Sequence, residues 1–282
     1  MTADEKIDTF FCVHRRDIDY LLETSLRAVL RHFKPRGSTT LVTNDVPALR
    51  RAVERWGLDD AVGITDDSDW LSEAEMLLPG WYKQQVIKLR AHEFCTTENF
   101  CNIGADTILM QPVLADDVLS NGRPVVYYTR HAPRDVHWLY ERVRVHHAAR
   151  ILRVRPRRAA KYVDFINDVF CFNRSDLVDL NSRLTTLYGS DPYHALLKDF
   201  HDKPRNEKKF GEWTLYNTFV LDGLNAPVEL RNMSEGFLTQ VRSQRALDAF
   251  DFNTKAAHFV SKDFDVESLT ARLAGSPRGE TR

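Results

Sequence analysis

The sequence predicts an α/β protein: a mainly parallel sheet flanked by helices, with a more helical C-terminal half. Three observations carry this. Short apolar runs alternate with amphipathic segments through the first 130 residues. The connections between them suit right-handed βαβ units. With 43% hydrophobic and 28% charged residues over 282 positions, the chain can bury a sizeable core, and it has no apolar run long enough to cross a membrane.

Residues 8–13, DTFFCV, read as a first buried strand. A helix follows, with Asp17 as its N-cap and Ile18, Leu21, Leu22, Leu26, Val29, Leu30 and Phe33 at helical spacing. KPRGS is a turn, and 39–43 (TTLVT) a second strand. PALRRAVERW is a second helix and 61–65 a third strand. DDSD is an acidic turn that an N-cap at Asp67 or Ser68 explains. After the Pro79-Gly80 break, 80–94 reads as one helix, then FCNIGADTILM and 124–129 as strands. Further on come a basic helix over 135–151, a strand over 163–173, three helical stretches, a late strand over 255–260 and a flexible tail over 275–282. No linker or repeat divides the chain, so one domain over 1–282 is expected.

The four cysteines lie in apolar contexts without CxxC spacing, which reads as free thiols in a reducing cytoplasm. The acidic N-terminus has no basic region before an apolar stretch, so it does not read as a secretory signal. The net charge of −1 conceals an asymmetry: 130–161 holds ten Lys or Arg against two acids. Such a stretch is either a solvated basic face or a contact for something anionic, such as a phosphorylated lipid carrier, an acidic glycan or an anionic leaflet. Nucleic acid fits less well, because no recognisable module or aromatic interleaving is present.

In open α/β sheets ligands bind beyond the carboxyl ends of the strands. The polar residues expected there are His14, Arg15, Arg16 and Asp17 after the first strand, Thr43, Asn44 and Asp45 after the second, and Asp106 after the strand at 99–104. Neither GxGxxG nor GxxxxGK[ST] occurs, so a phosphate-bearing ligand must be held by side chains or a metal.

GADTILMQP resembles the D-x-D-T-x-x-x-x-P signature of GT-A-fold glycosyltransferases. GWYKQQVIKL just upstream resembles a helix of paired glutamines and a lysine in a poorly characterised bacterial family of that fold. FINDVFCFNRSDL, FGEWTLYNTFV and AAHFVSK resemble later patches of such enzymes, in the same order, between about residues 8 and 262. The resemblance implies a GT-A-like, Rossmann-type fold. Residues 1–129 would form the nucleotide-sugar half and 130–265 the acceptor half. It also implies a hexosyltransferase that moves a sugar from a nucleotide-diphospho-sugar, UDP-sugar first among them, to an acceptor.

A divalent cation, Mn²⁺ or Mg²⁺, is implied at Asp106 and His258. Gly104 stands where the family's first acid stands and has no side chain to touch ribose or metal, so metal dependence stays open. Gln84, Gln85 and Lys88 are implied on the donor side, where the alternative is a solvated helix face. Asp168 and Glu212 are the implied acceptor-side acids, either of which could serve an inverting reaction as general base; a retaining reaction would need neither. For Glu212 the alternative is helix-dipole stabilisation, and for His258 a hydrogen-bonded core histidine. Trp81, Trp138 and Trp213 could stack on rings or simply be core. Two other functions stay open: a non-catalytic polyanion- or nucleotide-sugar-binding protein, and a sugar-phosphate nucleotidyltransferase. The expected location is the cytoplasm, with peripheral docking on the inner membrane face as an option.

Overall fold

A computed structural model describes residues 6–131, 135–201, 210–241 and 254–259. The tail expected over 275–282 lies outside the described residues. The first half alternates strand and helix: β1 (Ile7–Val13), α1 (Leu22–His32), β2 (Arg36–Thr43), α2 (Val46–Trp56), β3 (Gly63–Asp66), α3 (Gly80–Leu89), β4 (Asn99–Ile103) and β5 (Thr107–Leu109). Then follow β6 (Val126–Tyr128), α4 (Val136–Leu152), β7 (Val169–Asn173), α5 (Arg174–Tyr188), α6 (Pro192–His201), α7 (Glu212–Thr218), β8 (Leu230–Asn232), β9 (Leu238–Val241) and β10 (Ala256–Phe259).

The central sheet runs β3-β2-β1-β4-β7, parallel except for the antiparallel edge pair β4-β7. Side chains alternate across β1, so Phe10 packs with Phe100, Phe172, Val86 and Leu215 on one face. Phe11 and Val13 pack with Leu26, Val29, Leu49 and Val53 on the other. Thus α1 and α2 cover one face, and α3, α5 and α7 the other. A smaller sheet, β9-β10-β5, stands beside it. In it His258 lies opposite Thr107, and the Phe259 N–H donates to the Asp106 carbonyl at 3.0 Å.

Several boundaries differ from the sequence expectation, each for a local reason. The first helix breaks at Asp19–Leu21, leaving one turn, Arg15–Ile18. His14 caps that turn, and Asp17 closes the capping box by accepting from the His14 N–H at 2.9 Å. The helix predicted over 80–94 ends at Leu89 and gives way to a 3₁₀ turn, Ala91–Glu93. Asp66, not Asp67 or Ser68, caps the acidic turn. The strand predicted over 163–173 begins only at Val169. Val163 has φ +50°, and the Asp164 N–H closes on the Tyr162 carbonyl at 2.7 Å, a tight γ-type reversal that no strand can contain. The Asn167 side chain then accepts from the Val169 N–H at 3.0 Å, which places Asp168 just before the strand rather than inside it.

The four free thiols expected from spacing are also corrected. Cys101 and Cys171 face each other across β4 and β7 and are joined as a disulfide, while Cys12 and Cys95 are free and buried. The argument from four reduced thiols to a reducing compartment therefore lapses. No helix among the described residues is long and apolar enough to cross a membrane.

Candidate active site

The site is built where β4 ends. The chain leaves the sheet at Ile103, turns through Gly104 and Asp106, and enters the small sheet at Thr107. Because β10 pairs with β5, His258 arrives beside Asp106, its Nε2 3.5 Å from Asp106 Oδ1. The other ring nitrogen, Nδ1, lies 2.6 Å from Asp168 Oδ2, off the line of a well-formed hydrogen bond. Burial works against the imidazolium, yet Asp168 and Asp106 outweigh it and hold the His258 pKa up to about 10. Burial likewise opposes the Asp168 carboxylate, and His258 and Lys88 pull its pKa below the ordinary value.

Gly104 is explained by space rather than by backbone conformation. A Cβ there would lie 2.8 Å from Thr107 Oγ1, 3.1 Å from Asp106 Oδ1 and 3.4 Å from Asp168 Cβ. The volume a first acid would enter is already taken by the two neighbouring aspartates and Thr107. The Gly104 N–H donates to the Asp168 carbonyl at 2.9 Å, which ties the two loops together.

Lys88 Nζ sits 2.6 Å from Glu212 Oε1 and 4.4 Å from the centre of the Trp213 ring. The Glu212 side chain is 1% exposed and that of Lys88 13%, so this is a buried pair, not a dipole-stabilising charge on a helix surface. Burial lowers the Lys88 pKa, but Glu212 more than compensates and raises it. Neither acid proposed as general base is free in this arrangement: Asp168 faces His258, and Glu212 faces Lys88. Gln85 is buried with no hydrogen-bond partner on either amide atom and does not line the cavity where Gln84 is found.

A cavity of about 260 Å³ opens at the carboxyl ends of β1, β2 and β3, somewhat below the usual range for ligand pockets. His14, Thr43, Asn44 and Gln84, four of the residues expected from sequence on the donor side, line it. Arg15 and Asp17 do not: Arg15 pairs with Asp19 at 2.7 Å, and Asp17 serves the capping box. Cys12, Asp67 and Lys83 line it as well, although sequence alone assigned none of them a ligand-binding role. A signal existed for Lys83, because Gly80, Lys83, Gln84 and Ile87 fall at i, i+3, i+4 and i+7, one face of α3. Cys12 joins cavity and charge cluster. Burial pushes its thiol up to about 12, and it also feels Lys88, Glu212 and Asp67.

Among the described residues no three His, Cys, Asp or Glu side chains converge as a metal site. Asp106 and His258 nonetheless fit a divalent cation in part. They offer a carboxylate and an imidazole at a separation that one cation can bridge. A cation bound there would displace the His258 proton, after which the linked carboxylates of Asp106, Asp168 and Glu212 would outnumber the single ammonium of Lys88 by two charges. A divalent cation would offset that deficit.

Residues 13–247 match the model of a protein family described as a family of unknown function, DUF6492. The chain belongs to this family. No curated protein matches it by sequence. Among solved structures, the bifunctional glycosyltransferase WbbM superposes with a TM-score of 0.50 at 9% identity, covering 98% of this chain and 51% of that one. The galactosyltransferase LgtC, in a complex with donor and acceptor sugar analogues, gives a TM-score of 0.49 at 14% identity over 98% of each chain. GlyE of Streptococcus pneumoniae TIGR4 gives 0.45 at 15% identity, covering 92% of this chain and 56% of that one. The chain thus spans about half the length of WbbM and of GlyE. The fold of this family member is that of GT-A glycosyltransferases, with a mainly parallel central sheet and flanking helices.

Proposed function

We propose that the chain is a glycosyltransferase that takes a nucleotide-diphospho-sugar, a UDP-sugar by preference, and passes the sugar to an acceptor. The observation that carries this reading is that two features lie beyond the carboxyl ends of neighbouring strands, the first over β1, β2 and β3 and the second just past β4. One is a cavity lined by Asn44, Thr43, Gln84 and Lys83; the other is the Asp106–His258 pair. The nucleoside occupies the first, where amide, hydroxyl and ammonium groups meet its polar edges, and the diphosphate points toward the second.

A divalent cation held by Asp106 and His258 would neutralise the negative charge that grows on the departing diphosphate. The chain's own residues prepare that place. Asp168 approaches Nδ1 of His258 and turns Nε2 toward Asp106, the arrangement by which carboxylates orient metal-binding histidines. Lys88 lends Asp168 a compensating charge and is itself neutralised by Glu212. Gly104 leaves room for both aspartates. Asp106 and His258 alone would leave such a cation incompletely liganded by protein, so its binding would be expected to depend on the nucleotide.

The test is thermal unfolding of the purified protein with UDP and Mn²⁺, alone and together. Both together at a hundred times their dissociation constant should add about 2.7 kcal/mol, a rise of roughly 4–5 °C for a chain of this size. His258→Ala should abolish the joint effect, and Asp168→Asn should weaken it while also lowering the metal-free melt, since Asp168 is the main counter-charge to the buried His258 imidazolium. No stabilisation by any nucleoside diphosphate with Mn²⁺ or Mg²⁺ would defeat the proposal.

A further inference from the structure

The basic region 130–161 has no part in the site described above, and α4 shows how its charge is presented. One face of α4 is core: Val145, Ala148, Ala149 and Leu152 are buried there, together with the acid Glu141. The opposite face carries a bare aliphatic stripe. Val136 is 75% exposed, Leu139 50% and Val143 48%, at i, i+3 and i+7. The same face continues with exposed His146, Arg150 and Arg153, and Arg142 stands beside it with its guanidinium over the Trp138 ring. Beyond the helix, Arg155, Arg157 and Lys161 are also exposed. Asp135 is the only exposed acid from residue 135 to 161, and its carboxylate is used in capping the His137 N–H.

We infer that this face of α4 docks on an anionic lipid surface. The two halves of the surface select that partner together. Arginines spread over a helix and the following loop match a layer of anionic headgroups. The aliphatic side chains gain only from a partner with an apolar layer beneath its charges, which a bilayer has and a soluble polyanion lacks. The helix lies along the interface rather than across it, since its other face is packed into the core. The inference goes beyond the proposed transfer reaction and does not depend on it.

Co-sedimentation of the full chain with phosphatidylcholine vesicles, with and without phosphatidylglycerol, tests it. Binding should require phosphatidylglycerol and fall as salt rises. The variant R142Q/R150Q/R153Q should bind roughly a hundredfold more weakly, from about a fivefold loss per basic residue. V136S/L139S/V143S should also release the protein, while Leu139→Trp, which keeps the face apolar, should bind at least as well as the parent. Circular dichroism melts of each variant exclude misfolding as the cause. The inference is overturned by absence of binding to phosphatidylglycerol vesicles, or by binding that none of the variants changes. It is equally overturned if the arginine variant alone loses binding, or if Leu139→Trp loses it; retention of the aliphatic variant on vesicles and on heparin alike would identify a site for soluble polyanions instead.

Discussion

Replacing Lys88 by methionine isolates the buried pair beneath the site. The substitution keeps length and apolar stem but leaves Glu212, whose side chain is 1% exposed, facing the emptied ammonium position without a counter-charge. Glu212 Oε2 already has no hydrogen-bond partner, so no other protein group stands ready to take the charge. Removing one member of such a pair costs about 3–5 kcal/mol. At about 2.1 cal/mol/K per residue over 282 residues, that is a fall of roughly 5–8 °C in the melting temperature. The double variant K88M/E212L removes both charges and fills the space with apolar atoms. It should recover most of the loss, because replacing both members is near neutral. Differential scanning calorimetry on wild type, both single variants and the double variant closes the cycle. A Lys88→Met melt within about 1 °C of wild type, or losses that simply add in the double variant, would show that the two side chains do not depend on each other.

Gly104→Ala forces a methyl group against Thr107 Oγ1 and Asp106 Oδ1; it should cost about 1–3 kcal/mol by overpacking and weaken joint binding of UDP and Mn²⁺, both read by thermal shift. Gly104→Asp, which restores the usual acid, should do no better, because the crowding comes from Asp106 and Asp168 beside it. For Glu141, burial outweighs the attraction of Arg144, while Asp164 raises and His131 lowers its pKa, which stands at about 7 against an ordinary 4.5. The folded chain therefore holds this proton more tightly than the unfolded one, so the stabilisation is complete below about pH 4.5 and lost as pH rises through 7. Glu141→Gln should flatten that decline, by roughly 3 kcal/mol at most, in denaturant melts across the same range.

Much of the scaffold is legible in the chain because its signals are local. β1 and the Leu41–Val42 end of β2 are short apolar runs, and α2 is bracketed by the Asp45 cap and by Gly57 at φ +66°, a left-handed position that suits glycine. The misread elements are those where a turn overrides an apolar pattern. Val163 and Asn167 interrupt what reads as one strand, and Arg90 ends a helix whose amphipathic pattern continues. The site was readable only in part. Thr43, Asn44 and Gln84 line the cavity at the strand ends, and Asp106 follows β4 with His258 brought to it by the smaller sheet, whereas Arg15 and Asp17 have the right position along the chain and are used in local pairing and capping.

The sequence by itself determined the alternation of strand and helix, and it placed one acid at the end of β4, because strand and helix periods and capping residues act over a few positions. Only the tertiary structure decided the partners. Residues 106, 168 and 258 meet because β10 pairs with β5 while β7 pairs with β4. Lys88 meets Glu212 because α3 and α7 share one face of the sheet. Cys101 meets Cys171 through the register of an antiparallel edge. Pairings across such separations depend on how sheets and helices stack, and a carboxylate's role follows from the charge it meets there.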